Sequence, residues 1–225
     1  MRKKIFLTSL LSIVIFNIVS IINANAQGNT REEPPNLVLP QFAQATVKLK
    51  TGQSYSAVMN YEKIEQEMII LRNERLFLFK DKQAVDTIII NSRAFVPAGT
   101  GFYEVLVNAP VSLFIQHKGN LESLGSTVAY GTKSNTAGVT HITTIYGQEG
   151  AIVLQIPENY KVVDASVMWI NKDGNMTKVL NKKQFLALFT DVKRDLDLYI
   201  KKNHTNFGEA DDVTRLVLFC NELYK

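Results

Sequence analysis

The stretch Val85–Gln116, VDTIIINSRAFVPAGTGFYEVLVNAPVSLFIQ, decides the fold. It packs four short β-branched and aromatic runs between turn residues: Val85–Ile90, Arg93–Val96, Phe102–Val107 and Val111–Gln116. Asn91-Ser92, Gly99–Gly101 and Asn108-Ala109-Pro110 separate them. Side chains of this kind fit a pleated, half-buried surface, and the short separations leave room only for hairpins. The pattern predicts an antiparallel meander.

The same rhythm extends outward. Upstream, Thr46–Lys50 alternates, with Val47 and Leu49 on one face and Lys48 and Lys50 on the other. Thr51-Gly52 turns into Ser54–Tyr61, and Met68–Leu71 and Arg75–Phe79 follow. Downstream, Ala151–Ile156, Lys161–Val163, Val167–Ile170 and Met176–Leu180 read as strands, with Asp173-Gly174 as a strong hairpin signal. Met68–Leu71, Leu76–Phe79 and Ile88–Ile90 are apolar at every position, so both of their faces need cover.

The last 45 residues change period. Asn181 is placed to cap a helix carrying Phe185, Leu188 and Phe189, with Gln184 returning a bond to the cap. Val192, Leu196, Tyr199 and Ile200 stripe a second helix that stops near Asn203. Val213, Leu216, Val217, Cys220 and Leu223 stripe a third. These amphipathic helices are the expected cover for the doubly apolar strands. The expected class is therefore α+β: a curved or barrel-like antiparallel β-meander followed by three C-terminal α-helices packed on the sheet.

The first 26 residues read as a cleaved signal peptide. Arg2, Lys3 and Lys4 precede a mostly apolar Ile5–Ile22, and Ala24-Asn25-Ala26 gives the small-x-small cleavage pattern. Eighteen such residues would span roughly 27 Å as a helix. Thr8, Ser9, Ser12, Asn17 and Ser20 weaken a stable span, so none is expected after cleavage. Residues 27–41, with three prolines, read as an extended linker in which Leu37-Val38-Leu39 could dock as an edge strand. Residues 42–225 read as one α+β domain, β-rich over 42–180, with a long polar loop at 118–150 and a helical tail at 181–225.

The leader holds three of the 25 basic residues and no acid, leaving 22 basic against 21 acidic side chains. Neither half is biased, with 14 of each sign over 27–180 and eight basic against seven acidic residues over 181–225. A chain so balanced has no broad basic field, so nucleic acid is not an expected partner. Cys220 is the only cysteine, which excludes an internal disulfide. It also lies far from the cleavage site, which argues against a lipoprotein. It falls on the apolar stripe of the last helix, where a thiol behaves as a small hydrophobe.

Chemistry-bearing patterns are sparse. His117, His141 and His204 have no second ligand at helical spacing and read as surface or loop histidines, so no metal or other cofactor is expected. Glu62, Glu65 and Glu67 read as a solvated turn, and Glu104 as an outward strand residue or a cross-strand partner of Arg93. The nucleophile-elbow, phosphate-loop and dinucleotide-binding glycine patterns are missing. The Gly-, Ser- and Thr-rich loop over 118–150 is where a binding role is expected, because long loops in compact domains are disproportionately functional. Tyr130, Lys133, His141 and Tyr146 are its candidate partner-binding residues, the tyrosines pairing an apolar ring with a polar tip.

Segments such as ATVKLKTGQSYSAVMNYEKIEQEMII, AVDTIIINSRAFVP, GFYEVL and VSLFIQHK, with the tail FLALFTDVKRDLDLYIKKN and DVTRLVLFCNEL, resemble a family of exported bacterial proteins of unknown function. The likeness covers 45–116 and 184–223. It implies export and a β-rich domain with terminal helices, and brings no catalytic residues. The function expected is a non-enzymatic cell-envelope module that binds another envelope protein or a glycan. The alternative is a periplasmic carrier of an apolar ligand or lipid, and a third reading is a hydrolase using Glu104 or His141.

Overall fold

The computed structural model describes residues 35–124, 156 and 159–224, together with the backbone of four short strands between them. The strands are β1 (Ala43–Leu49), β2 (Ser54–Glu62), β3 (Glu67–Arg72), β4 (Arg75–Leu78), β5 (Val85–Ile90), β6 (Arg93–Ala98), β7 (Gly101–Val107) and β8 (Val111–Gln116). There follow β9 (Gly119–Ser123), β10 (Ser126–Thr127), β11 (Lys133–Ser134), β12 (Ile145–Tyr146) and β13 (Ala151–Val153). Last come β14 (Tyr160–Asp164), β15 (Val167–Lys172), β16 (Asn175–Val179) and the helices α1 (Lys182–Ala187), α2 (Lys193–Asn203) and α3 (Ala210–Glu222).

Twelve of these strands form one antiparallel sheet in the order β12-β13-β4-β3-β2-β1-β5-β6-β7-β8-β15-β16. Three of its hairpins turn on two residues with both φ positive: Asn73-Glu74, Asn91-Ser92 and Asp173-Gly174. That is the mirror-image turn whose twist matches flanking strands, and Asn, Asp and Gly supply it at least steric cost. The sheet curves without closing. Its β2–β3 turn folds over the start of β7, where a Cβ on Gly101 would lie 2.6 Å from the Gln66 carbonyl oxygen. The same turn receives the Gly119 N–H on the Lys63 carbonyl.

Register shows how one face of this sheet serves two cores. Tyr61 faces Met68, Val47 faces Ile88, and Ile88 faces Phe95. With Met59, Val85 and Phe102 these side chains fill the first core, inside the curve of β1–β7. A bulge between Val105 and Val107 on β7 returns Val107 to that same face, opposite Leu113. From there Leu113, Met168, Ile170 and Val179 continue the face beneath Phe185, Leu196, Val213, Leu216 and Cys220 of the helical tail. The helices thus cover β7, β8, β15 and β16. They do not cover the second face of Met68–Leu71, Leu76–Phe79 and Ile88–Ile90, as the apolar runs had suggested.

Three local differences have plain causes. The chain at 35–41, read as a linker with Leu37-Val38-Leu39 able to dock, is docked at that point: Leu37 bridges Glu62, and Asn60 accepts from Leu39 N (3.1 Å) and donates to Leu39 O (2.9 Å). Gly119–Ser123, assigned to the polar loop, pairs as β9 with β14. Gln184 N donates to Asn181 Oδ1 as a cap should (3.0 Å), but the Gln184 side chain accepts from Leu180 N rather than Asn181 N. Burial on the stripe of α3 pushes the Cys220 thiol up to about 11, so it is packing material rather than a nucleophile.

Candidate functional site

Two places in the described residues gather functional side chains. The first is a polar cluster on the inner face, at the seam between the two cores. Glu104 on β7 faces Phe95 on β6 and Ile115 on β8. Arg93 and His117 lie two residues from those partners, on the same face and diagonal to Glu104. Arg93 Nε donates to Glu104 Oε1 and Arg93 Nη2 to Oε2, both at 2.6 Å. His117 Nε2 lies 2.6 Å from Glu104 Oε2, which makes that nitrogen the protonated, donating one. Tyr61 closes the group from below, its hydroxyl donating to the His117 carbonyl at 3.3 Å.

This cluster is structural rather than reactive. Burial alone would raise the Glu104 pKa, but the bonds from Arg93 and His117 and their charges outweigh it and hold the carboxyl down to about 2. Both carboxylate oxygens are occupied. An acid of that strength neither donates nor accepts a proton usefully near neutral pH. Glu104 is thus paired with Arg93 as the hairpin spacing suggested, but it points inward, only 6% exposed. His117 is drawn in with it and is not a surface residue.

The acidic turn also differs from expectation. Glu62 is 1% exposed, not solvated. Its Oε2 accepts from Glu65 N at 2.6 Å, so the side chain splints the β2–β3 turn. Burial raises its pKa against those hydrogen bonds. Glu67 pairs with Lys82 at 2.5 Å. Among the described residues, no three His, Cys, Asp or Glu side chains converge as a metal site.

The second place is the outer face. Reading register across the sheet, Thr46, Ile89, Ala94, Val105, Phe114, Trp169 and Lys178 form one continuous row from β1 to β16. Its five central members are apolar and half-buried, while Thr46 and Lys178 at the ends are exposed. Beside it Tyr103 faces Val96, and its ring stacks on Trp169 with centroids 5.8 Å apart. An apolar, aromatic centre with a polar rim is the composition of an interaction surface. Sequence reading missed it because alternation in β6–β8 reveals two apolar faces without showing which one the helices take. Trp169 standing between Met168 and Ile170 was the available signal.

The loop candidates divide. Lys133 lies in β11, opposite Thr127, and Tyr146 in β12, opposite Ile152, at the β4 end of the main sheet. Tyr130 and His141 lie outside the described residues. The geometry defines a class: an open, curved α+β sheet with one face filled by helices and its own curl, and the other presenting aromatic side chains. In comparisons with protein-family models, curated proteins and solved structures, nothing matches this chain. The resemblance to exported bacterial proteins therefore rests on the segments quoted above. Among the described residues no helix is long and apolar enough to cross a membrane.

Proposed function

We propose that the protein is an exported, non-enzymatic binding module that holds another envelope macromolecule on the outer face of its sheet. The carrying observation is the row Ile89–Ala94–Val105–Phe114–Trp169, half-buried and unclaimed by the helices, which lie on the opposite face. Leaving such a row to water costs roughly 25 cal/mol for each Å² of apolar surface, a cost that a partner covering it recovers. The leader pattern supports export, and the polar rim supports a partner that binds and leaves.

The packing also favours this reading over a carrier of an apolar ligand. A carrier needs a void beneath the helices, whereas Phe185, Phe189, Leu196, Leu216 and Val217 are packed there in one buried cluster. The hydrolase reading loses its main support because Glu104 is locked in an ion pair. The test is retention on washed envelope fractions of the source cell. Phe114→Lys places a charge in the middle of the row and should reduce retention at least about tenfold, by the weight that buried aromatic anchors carry. Leu218→Lys, on the exposed side of α3, should leave it unchanged. Equal retention of the two variants, both folded by circular dichroism, overturns the assignment.

A further inference from the structure

We infer that the ligand of this outer face is a glycan, seated with a pyranose ring against the Tyr103–Trp169 pair; the inference rests on the reading of that face as a binding surface. The two residues stand on β7 and β15, on either side of β8, and their rings meet above it 24° from parallel. A centroid separation of 5.8 Å is that of an offset pair, in which each ring covers only part of the other. The pair is held from beneath. Trp169 Nε1 donates to Gln116 Oε1 at 3.1 Å, and Gln116 Nε2 donates to Gln66 Oε1 at 2.6 Å. The indole N–H is consumed inside this chain of bonds, so the ring turns only carbon outward.

Hydrogen-bonding groups stand around the edge of the pair rather than over it. The Tyr103 hydroxyl lies above the β6–β7 turn, within 3.6 Å of where a Cβ on Gly99 would sit. It has no hydrogen-bond partner among the described residues. Lys178, on the neighbouring β16, faces Trp169 and is exposed. It is the one charged side chain among the cross-strand partners Val96, Phe114 and Lys178 of the two rings. A pyranose matches this layout because its faces are lined by C–H groups while its hydroxyls radiate from the rim. A protein partner anchors by inserting side chains into pockets. Among the described residues, apolar hollows of that kind open between α2 and α3 at Tyr199 and Phe219, and beside β4 at Tyr55 and Phe77.

Trp169 is the only tryptophan of the chain, so its fluorescence reports on this pair directly. The full chain is titrated with chitotetraose, cellotetraose and tetragalacturonate, the last testing whether Lys178 attracts an acidic sugar. At least one should give a saturable change in emission. Tyr103→Ala should weaken that binding about fivefold or more, from the worth of one aromatic contact. Tyr103→Phe, which keeps the ring, should recover most of it, and both variants are first shown by thermal melts to be folded. No saturable response to any of the three sugars, or a response that Tyr103→Ala leaves unchanged, overturns the inference. If the sugars fail while envelope retention still depends on Phe114, the ligand is a protein and the binding face stands. If retention is also indifferent to Phe114, both readings fall.

Discussion

Replacing Glu104 with glutamine keeps the shape of the side chain and removes the charge that Arg93 and His117 share. The carboxyl is held at about 2 in the folded protein against an ordinary value of 4.5. Linkage converts that difference into about 3 kcal/mol of stability at neutral pH. The sign follows from the direction. A folded-state pKa below the unfolded one gives stability that is fully present above about 4.5 and is lost as pH falls through about 2. Glu104→Gln should therefore cost about 3 kcal/mol at pH 7, at the low end for a broken buried pair because Arg93 is 32% exposed. In a chain of this size that lowers Tm by roughly 6–12 °C. Urea unfolding of both proteins at pH 7, 4 and 2.5 isolates the effect, since all other carboxylates are common to the two. The stability gap should shrink by more than half between pH 7 and pH 2.5. A gap that stays constant over that range would refute the claim that the charge on Glu104 holds the seam.

Three other substitutions test the packing. Asn221 on α3 donates to Val111 O (2.8 Å) and accepts from Val111 N (3.0 Å), tying the helix to the start of β8. Asn221→Ala should cost about 1–3 kcal/mol by urea melt and raise amide exchange at Val111 first. Gly101→Ala would set a methyl 2.6 Å from the Gln66 carbonyl oxygen. It should destabilise by about 1–3 kcal/mol, and a neutral melt would show that the β2–β3 turn does not press on β7 as described. Glu74 sits in the β3–β4 turn at φ +61°. Glu74→Gly removes that strain and should raise stability by about 0.5–1 kcal/mol, read as a higher urea midpoint at unchanged slope.

What the sequence made legible was local. Asn91 and Asp173-Gly174 marked tight turns because their φ preferences belong to the residue, whatever surrounds it. Phe185, Leu196, Ile200, Val213 and Leu216 marked the buried helix faces because helical period is read along one element. Residues whose roles depend on distant partners stayed hidden. Glu62 looked solvated until the strip around Asn36 and Leu37 was found lying on it. His117 follows the last residue of β8 and joins Glu104 only through the register of β8 on β7. The Val105–Val107 bulge, which returns the inner face to Val107, has no strong mark of its own, lacking Gly or Pro. The outer row runs across seven strands, and no single segment displays it.

The central claim is that the outer sheet face, not the helical layer, meets the partner. It is tested most directly by placing a photo-crosslinking phenylalanine analogue at Phe114, at Tyr130 or His141, and at Leu218, then irradiating intact source cells. The account predicts a strong, light-dependent adduct from position 114 and none from 218, with 130 and 141 reporting whether the polar loop shares the contact. Adducts from 218 matching those from 114, or none from 114 with the protein folded and exported, would contradict it.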